Sequence, residues 1–121
     1  MPALDDFPNI VFDRREDWRR WLAHNHDSHG PIWAVTWKKT SSGPYLAYGD
    51  LRDEALCWGW IDSLRRKVDD EKTALFMARR KPGSAWSAVN KARIEALVDA
   101  KLMQPSGLDA VTRAKADGAW L

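Results

Sequence analysis

The sequence predicts an α+β fold in which a small antiparallel sheet packs against three to four helices. Apolar residues recur with a helical period in four stretches, near residues 14–25, 51–58, 87–101 and 108–116. Three other stretches are rich in β-branched and aromatic residues, as strands are, near 32–38, 61–68 and 73–79. No long linker or internal repeat divides the 121 residues, so we expect one domain spanning residues 1–121.

Residues with known preferences for helix ends support these boundaries. Asp13 stands where an N-cap would begin the first helix. Asp50 can cap the second helix, and Gly59 can end it in the left-handed conformation that glycine tolerates. Ser84 or Ser87 can cap the third helix. The first strand, with apolar residues at successive positions, is expected to be buried on both faces.

The periodic positions also predict the core, with one polar exception. The expected core residues are Trp21, Leu22, Val35, Leu56, Phe76, Ile94 and Leu97. Asn90 shares the apolar row of the third helix with Trp86 and Ile94. Because a buried amide needs a hydrogen-bond partner, Asn90 is either tied to nearby backbone or contacts a ligand.

Charge and aromatic content narrow the functional classes. The net charge is only +2, which argues against nucleic-acid binding because phosphate neutralisation drives such binding. The basic residues are nevertheless clustered in two blocks, Arg65–Lys67 and Arg79–Lys81. Eight tryptophans are many for a chain of this length, and tryptophan is enriched both in cores and in binding sites. A local site for an anion is therefore the kind of site to look for.

The sequence favours a cytoplasmic protein without membrane insertion. It has no apolar run of about 18 residues and no signal-peptide pattern at its start. Cys57 is the single cysteine, so an intrachain disulfide is excluded. Because Cys57 falls near the C-terminal end of a predicted helix, we expect a buried, unreactive thiol rather than a nucleophile.

A metal or cofactor site is not expected. His24, His26 and His29, with Asp27 among them, match no zinc-ligand spacing. A histidine at a helix C-terminus is favoured by the helix dipole, and we prefer this structural interpretation. The chain also lacks a phosphate-binding glycine loop and an ordered Ser/His/Asp set.

Several motifs in order resemble one family. They are WRRWLAHNH, IWAVTWKK, ALCWGWID, RRKPGSAWSAVNKAR and GLDAVTRAKADGAW. Together they resemble the YdeI/OmpD-associated family, also called bacteriocin-protection-like, from about Trp18 to Trp120. The resemblance implies a small α+β protein connected with tolerance of envelope stress or antimicrobial peptides, with no established reaction.

The chain departs from that family's pattern in two places. Met77-Ala78-Arg79 stands where the family tends to have Thr-Pro-Arg, so a rigid proline is missing and the strand can run further. Longer members carry a helical extension after the ADGAW motif, and we expect this chain to lack it. A site that the extension covers in relatives would be open or absent here.

The predicted hairpin places an acid and an arginine together. If it turns about Asp70–Glu71, Asp62 lies directly opposite Arg79. Strand alternation then puts Trp60, Leu64 and Met77 on the face that Asp62 and Arg79 share, and Arg65 and Lys67 on the other face.

The turn at Pro82-Gly83 brings the start of the third helix to the same end of the hairpin. A helix N-terminus beside an arginine and hydroxyl groups can bind an anion. The predicted ligand-binding residues are Trp60, Asp62, Arg79, Ser84, Trp86, Ser87 and Asn90. The alternative is that Asp62 and Arg79 only tie the hairpin to the helix.

Three functions remain open from the sequence. The first is a noncatalytic stress-protection protein that binds a small anionic ligand or a partner protein. The second is an enzyme acting on a small anionic substrate with Asp62 as acid or base. The third is a protein-interaction module whose aromatic residues all belong to the core.

Overall fold

Four α-helices and a four-stranded sheet make up the fold of the described residues, together with a short 3-10 helix at Leu4–Asp6, which confirms the predicted α+β class. The computed structural model of the chain describes residues 3–120. Its helices are α1 (Arg15–Asn25), α2 (Tyr48–Cys57), α3 (Ala88–Asp99) and α4 (Pro105–Asp117). Its strands are β1 (Asn9–Val11), β2 (Ile32–Trp37), β3 (Trp60–Lys67) and β4 (Lys72–Arg79). Helix α2 lies at the centre and contacts β3 and the other three helices.

The sheet is mixed because it contains a strand that the sequence did not predict. Its strand order is β1-β2-β4-β3. The three predicted strands pair antiparallel, β2 with β4 and β4 with β3. The additional strand β1 pairs parallel with β2. At three residues it is too short to show the alternation by which strands are recognised.

The helix ends agree with the capping predictions in part. The Ser87 side chain caps α3 by accepting a hydrogen bond from the Asn90 amide at 3.1 Å, and Gly59 after α2 is left-handed with φ of +80°. The predicted cap at Asp13 is wrong, because Arg14 is the residue before α1 and its amide donates to Asp17. The predicted cap at Asp50 is wrong as well, because α2 begins at Tyr48 and Asp50 lies in its first turn. There its carboxylate still faces the positive end of the helix dipole.

Five of the seven predicted core residues are buried, with side chains at most 3% exposed: Leu22, Val35, Leu56, Ile94 and Leu97. Trp21 and Phe76 are only half-buried. Trp21 lies at the margin of the main core, with its ring centroid 5.0 Å from that of His29. Phe76 packs under Phe7, with ring centroids 5.3 Å apart.

The two faces of the sheet carry separate hydrophobic clusters. The helix-facing cluster includes Ile32, Leu75 and Met77, whereas Trp33 and Val35 belong to the opposite face. Strand β2 is therefore buried on both faces, as predicted from its continuous apolar run.

Two buried carboxylates in α2 were not predicted. Glu54 is fully buried and accepts hydrogen bonds from Arg15 Nε at 3.0 Å and Trp58 Nε1 at 2.9 Å. Asp53 is 6% exposed and accepts two hydrogen bonds from Arg93, one from Nε at 3.2 Å and one from Nη2 at 2.8 Å. These ion pairs join α2 to α1 and α3, and they satisfy charges that would otherwise be costly to bury.

Cys57 ends α2 and is buried, as the sequence predicted. Burial, together with the nearby Glu54 charge, raises the pKa of its thiol to about 12. The neutral thiol is therefore the form that the fold stabilises. Its contribution to stability is fully present below the unfolded-state pKa, near 9, and is lost as the pH rises through the folded-state value.

We expect Cys57 to be almost inert towards Ellman's reagent in the native protein at pH 8. The rise of its pKa from an ordinary 9.0 to about 12 lowers the thiolate population about 1,000-fold, and burial blocks access as well. In about 6 M guanidinium chloride one equivalent should react at the normal rate. Equal rates in native and unfolded protein would contradict this account of α2.

Candidate functional site

The β3–β4 hairpin has a different register from the predicted one. Trp60 lies opposite Arg79, and Asp62 lies opposite Met77. The prediction that Asp62 faces Arg79 is therefore wrong by two residues. Because a slip of two residues preserves side-chain faces, Asp62 and Arg79 still share the helix-facing side of the sheet.

A β-bulge in β3 makes the predicted faces of Arg65 and Lys67 wrong. The pairing shifts between Asp62 and Arg65, so that Arg65 pairs with Leu75 and Lys67 with Thr73. The extra residue in β3 reverses the alternation beyond it. Arg65 and Lys67 thus lie on the same face as Asp62, not on the opposite face as predicted.

Asp62 and Arg79 bind different groups. The Tyr48 hydroxyl donates to Asp62 Oδ2 at 3.1 Å. The Arg79 guanidinium donates to the His26 carbonyl oxygen at 3.2 Å, and Trp60 Nε1 donates to the same oxygen at 3.0 Å. Within residues 3–120 no ion pair joins Asp62 to Arg79, so the acid–arginine site predicted from the hairpin is not formed.

The other predicted site residues are also dispersed. The Ser84 hydroxyl donates to the Lys81 carbonyl oxygen at 2.7 Å, within the turn. The Ser87 hydroxyl is engaged as the α3 cap. Asn90 is half-buried, and none of the hydrogen bonds found among residues 3–120 involves its side-chain amide. Its backbone amide, not its side chain, makes the tie to Ser87.

A cationic cleft opens where β4 ends. It has a volume of about 390 Å³. Four basic side chains line it: Arg79, Arg80, Lys81 and Arg113. The other lining residues are His26, Asp27, Trp58, Gly59, Pro82 and Ser106. We call this set of residues the cationic cleft.

Hydrogen bonds to backbone carbonyl oxygens and one ring–ring contact hold the walls of the cleft together. The Ser106 hydroxyl donates to the Trp58 carbonyl oxygen at 2.9 Å, which holds the start of α4 against the end of α2. The Arg80 amide donates to the Gly59 carbonyl oxygen at 2.9 Å. The His26 and Trp58 rings pack with centroids 4.9 Å apart.

Arg80 is the most enclosed cation of the cleft. Its guanidinium lies 3.8 Å from the centroid of the Trp86 ring and donates to the Ala85 carbonyl oxygen at 2.6 Å. Its Nε is buried without a hydrogen-bond partner among the described residues. Burial lowers the pKa of Arg80, yet an arginine stays charged at neutral pH.

A small cavity of about 20 Å³ adjoins the cleft. It shares Arg80, Lys81, Pro82 and Arg113 with the cleft, and Ser84 and Trp86 line it as well. Of the seven predicted site residues, Arg79 therefore lines the cleft and two others line its neighbour. Trp60, Asp62, Ser87 and Asn90 line neither space.

The arrangement is suited to holding an anion. Among residues 3–120, no ion pair involves Arg79, Arg80, Lys81 or Arg113, so none of these four charges is paired with a carboxylate. Asp27 is the single carboxylate among the described lining residues. Arginine presents several N–H donors that match carboxylate and phosphate oxygens.

Each of the three histidines lies within hydrogen-bond distance of a backbone carbonyl oxygen nearby in the sequence. His24 Nδ1 lies 2.8 Å from the Arg20 carbonyl oxygen, and His26 Nδ1 lies 2.9 Å from that of Leu22. His29 Nδ1 lies 2.7 Å from the Gly30 carbonyl oxygen. In the part of the chain that the structure describes, no group of three or more His, Cys, Asp or Glu side chains is arranged to hold a metal ion.

Sequence reasoning identifies only part of the cleft. The block Arg79–Lys81 stands out as a cluster of charge, but Arg113 is one of two basic residues on α4 and carries no distinguishing signal. His26 and Trp58 carry no signal that points to this cleft either. The packing of α4 against the end of α2 brings Arg113 to the hairpin.

Comparisons with known proteins give one family match. The family model described as a domain of unknown function (DUF8412) matches residues 10–110. No curated protein and no solved structure matches the chain. Among residues 3–120, no helix has the length and apolar character needed to cross a membrane.

Proposed function

This chain belongs to the DUF8412 family of domains of unknown function, and we propose that it is a noncatalytic protein that binds a small anionic ligand in the cationic cleft. One observation carries the proposal: four basic side chains line one cleft and none of them has a carboxylate partner within residues 3–120. Like charges gathered in one cleft repel one another, so an anion bound among them would relieve that repulsion.

The charges also favour a multiply charged ligand. A dianion or larger anion can contact arginines from two elements, Arg79 from β4 and Arg113 from α4. Charge-assisted hydrogen bonds of this kind are about twice as strong as neutral ones. The role in stress protection rests on the resemblance to the YdeI/OmpD-associated family, and we propose the cytoplasm as its compartment.

Two observations support a binding role over an enzymatic one. Asp62, the acid or base of the enzyme hypothesis, lies outside the cleft and holds the Tyr48 hydroxyl. Cys57 is buried, and its raised pKa, about 12, keeps the thiol neutral. The residues that line the cleft supply charge and hydrogen-bond donors, which are the groups that binding needs.

We expect sodium pyrophosphate at about 10 mM to raise the melting temperature by about 3 °C or more, at constant ionic strength. Binding to the folded state alone stabilises it by mass action. Arg113→Gln should weaken pyrophosphate binding at least about 10-fold, because it removes a charge-assisted hydrogen bond. Differential scanning fluorimetry over a range of concentrations measures both.

Lys101→Gln is the matched control. Lys101 is exposed and lies outside the cleft, so the substitution removes the same charge without touching the site. It should leave the pyrophosphate effect unchanged. Equal losses in Arg113→Gln and Lys101→Gln would show that the stabilisation is a general effect of charge, and would refute the cleft as the site.

A further inference from the structure

A second groove lies at the other end of the β3–β4 hairpin. Arg65 and Thr73 of the hairpin line one side of it, and Tyr45 and Tyr48 line the side towards α2. Its volume is about 220 Å³. It shares no lining residue with the cationic cleft. We call it the tyrosine groove.

The tyrosine groove is positively charged. Lys38, Lys39 and Arg65 line it, and none of the three forms an ion pair within residues 3–120. The nearby Asp62 carboxylate accepts a hydrogen bond from the Tyr48 hydroxyl at 3.1 Å and keeps its charge, but no Asp or Glu is among the described lining residues. Helix α2 begins at Tyr48, so the positive end of its dipole adds to the same field.

The groove also has aromatic and apolar surface. Tyr45 is 53% exposed and Tyr48 is 41% exposed, which is unusual for two large side chains beside one cavity. Leu46 and Leu51 are 6% and 2% exposed, and both contribute apolar surface to the groove. Exposed aromatic side chains that line a groove together with apolar residues are typical of ligand sites.

The segment that carries Tyr45 is held in place. The Ser41 hydroxyl donates to the Lys38 carbonyl oxygen at 2.7 Å, and the Ser42 hydroxyl donates to Glu71 at 3.0 Å. The Gly43 backbone lies directly against the Trp37 ring, and Tyr45 pairs with Trp37 in an isolated bridge. Since the groove is formed in advance, a ligand would not have to order this loop.

From this combination we infer that the tyrosine groove binds a small aromatic anion, a planar ring that carries a phosphate or carboxylate group. Its volume of about 220 Å³ exceeds the ~150 Å³ of an apolar cavity that holds benzene, so a ring and one acidic group fit. The ring packs against Tyr45 above Leu46 and Leu51. The acidic group meets Arg65 and Lys38.

Isothermal titration calorimetry of the full chain with phenyl phosphate tests the inference. We expect the tighter phase of phenyl phosphate binding to occupy the tyrosine groove, with an affinity at least about 10-fold higher than that of inorganic phosphate there, because the ring adds apolar burial. Tyr45→Ala and Arg65→Gln should each weaken phenyl phosphate binding about 10-fold. Both side chains are exposed, so both variants should fold, which thermal melting checks.

The variant Arg113→Gln separates this site from the cationic cleft. It should retain phenyl phosphate binding even where pyrophosphate binding is lost. Equal affinity for phenyl phosphate and inorganic phosphate would overturn the inference. So would loss of phenyl phosphate binding in Arg113→Gln but not in Arg65→Gln, because the ligand would then occupy the cleft.

Discussion

Arg15→Met should lower the free energy of unfolding by about 3 kcal/mol, because it leaves the Glu54 carboxylate buried without its main partner. Glu54 is fully buried, and the next cation, Arg19, lies farther away at 3.9 Å. Burial alone would lower the pKa of Arg15, but the hydrogen bond and charge of Glu54 outweigh it and raise that pKa. Urea unfolding followed by circular dichroism measures the loss.

A double-mutant cycle shows whether the loss comes from the pair. In Arg15→Met/Glu54→Gln the unpaired charge at position 54 is removed, and the Gln carbonyl oxygen can still accept from Trp58 Nε1. We expect the double variant to be at least about 1 kcal/mol more stable than Arg15→Met alone. Strictly additive effects would contradict the coupling.

Arg20→Met is the matched control on the same helix. The Arg20 side chain is 68% exposed and lies 3.5 Å from Asp17. Exposed pairs of this kind contribute about 0.2 to 1 kcal/mol. A loss as large as that of Arg15→Met would mean that the substitution acts through the helix itself rather than through Glu54.

Gly107→Ala should also destabilise the protein strongly, by about 3 kcal/mol. Gly107 is buried in the first turn of α4, where the helix meets the end of α2. A Cβ there would overlap the Cys57 carbonyl oxygen and lie 2.9 Å from that of Leu56. Because both obstacles are backbone atoms, α4 would have to move, and overpacking of this kind is costly. Urea unfolding measures this loss as well.

The same substitution at Gly49 should change the stability of the protein in the opposite direction. Gly49 lies in the first turn of α2, and a Cβ at this position would have Arg52 Nη2 as its nearest neighbour at 3.7 Å, an ordinary contact. Gly49→Ala should therefore stabilise the protein by about 0.5 to 1 kcal/mol through helix propensity. Equal effects at the two positions would refute the close contact between α4 and α2.

The sequence predicts best those helices and strands in which apolar residues follow a regular pattern over many positions. Strand β2 and helix α1 have such patterns, and both lie within one or two residues of the predicted bounds. Strand β1 is too short for any period. The acids Asp53 and Glu54 would normally be assigned to a solvent-exposed helix face, and only the arginines of α1 and α3 explain their burial.

The candidate site is harder to predict because it depends on features that leave no periodic pattern of apolar residues in the sequence. The β-bulge between Asp62 and Arg65 reverses which face the later residues of β3 occupy, and no residue type marks it. Arg113 joins the cleft through the packing of α4, far along the chain from Arg79. The charge block Arg79–Lys81 is the part of the site that local sequence can identify.

A pyrophosphate titration followed by ¹H–¹⁵N NMR tests the cationic cleft most directly. The account predicts that the largest shift changes occur at the Gly59 and Ser106 amides and at the Nε–H groups of Arg80 and Arg113, all with one dissociation constant. Changes spread evenly over the exposed lysines and arginines, or largest at residues outside the cleft, would contradict it.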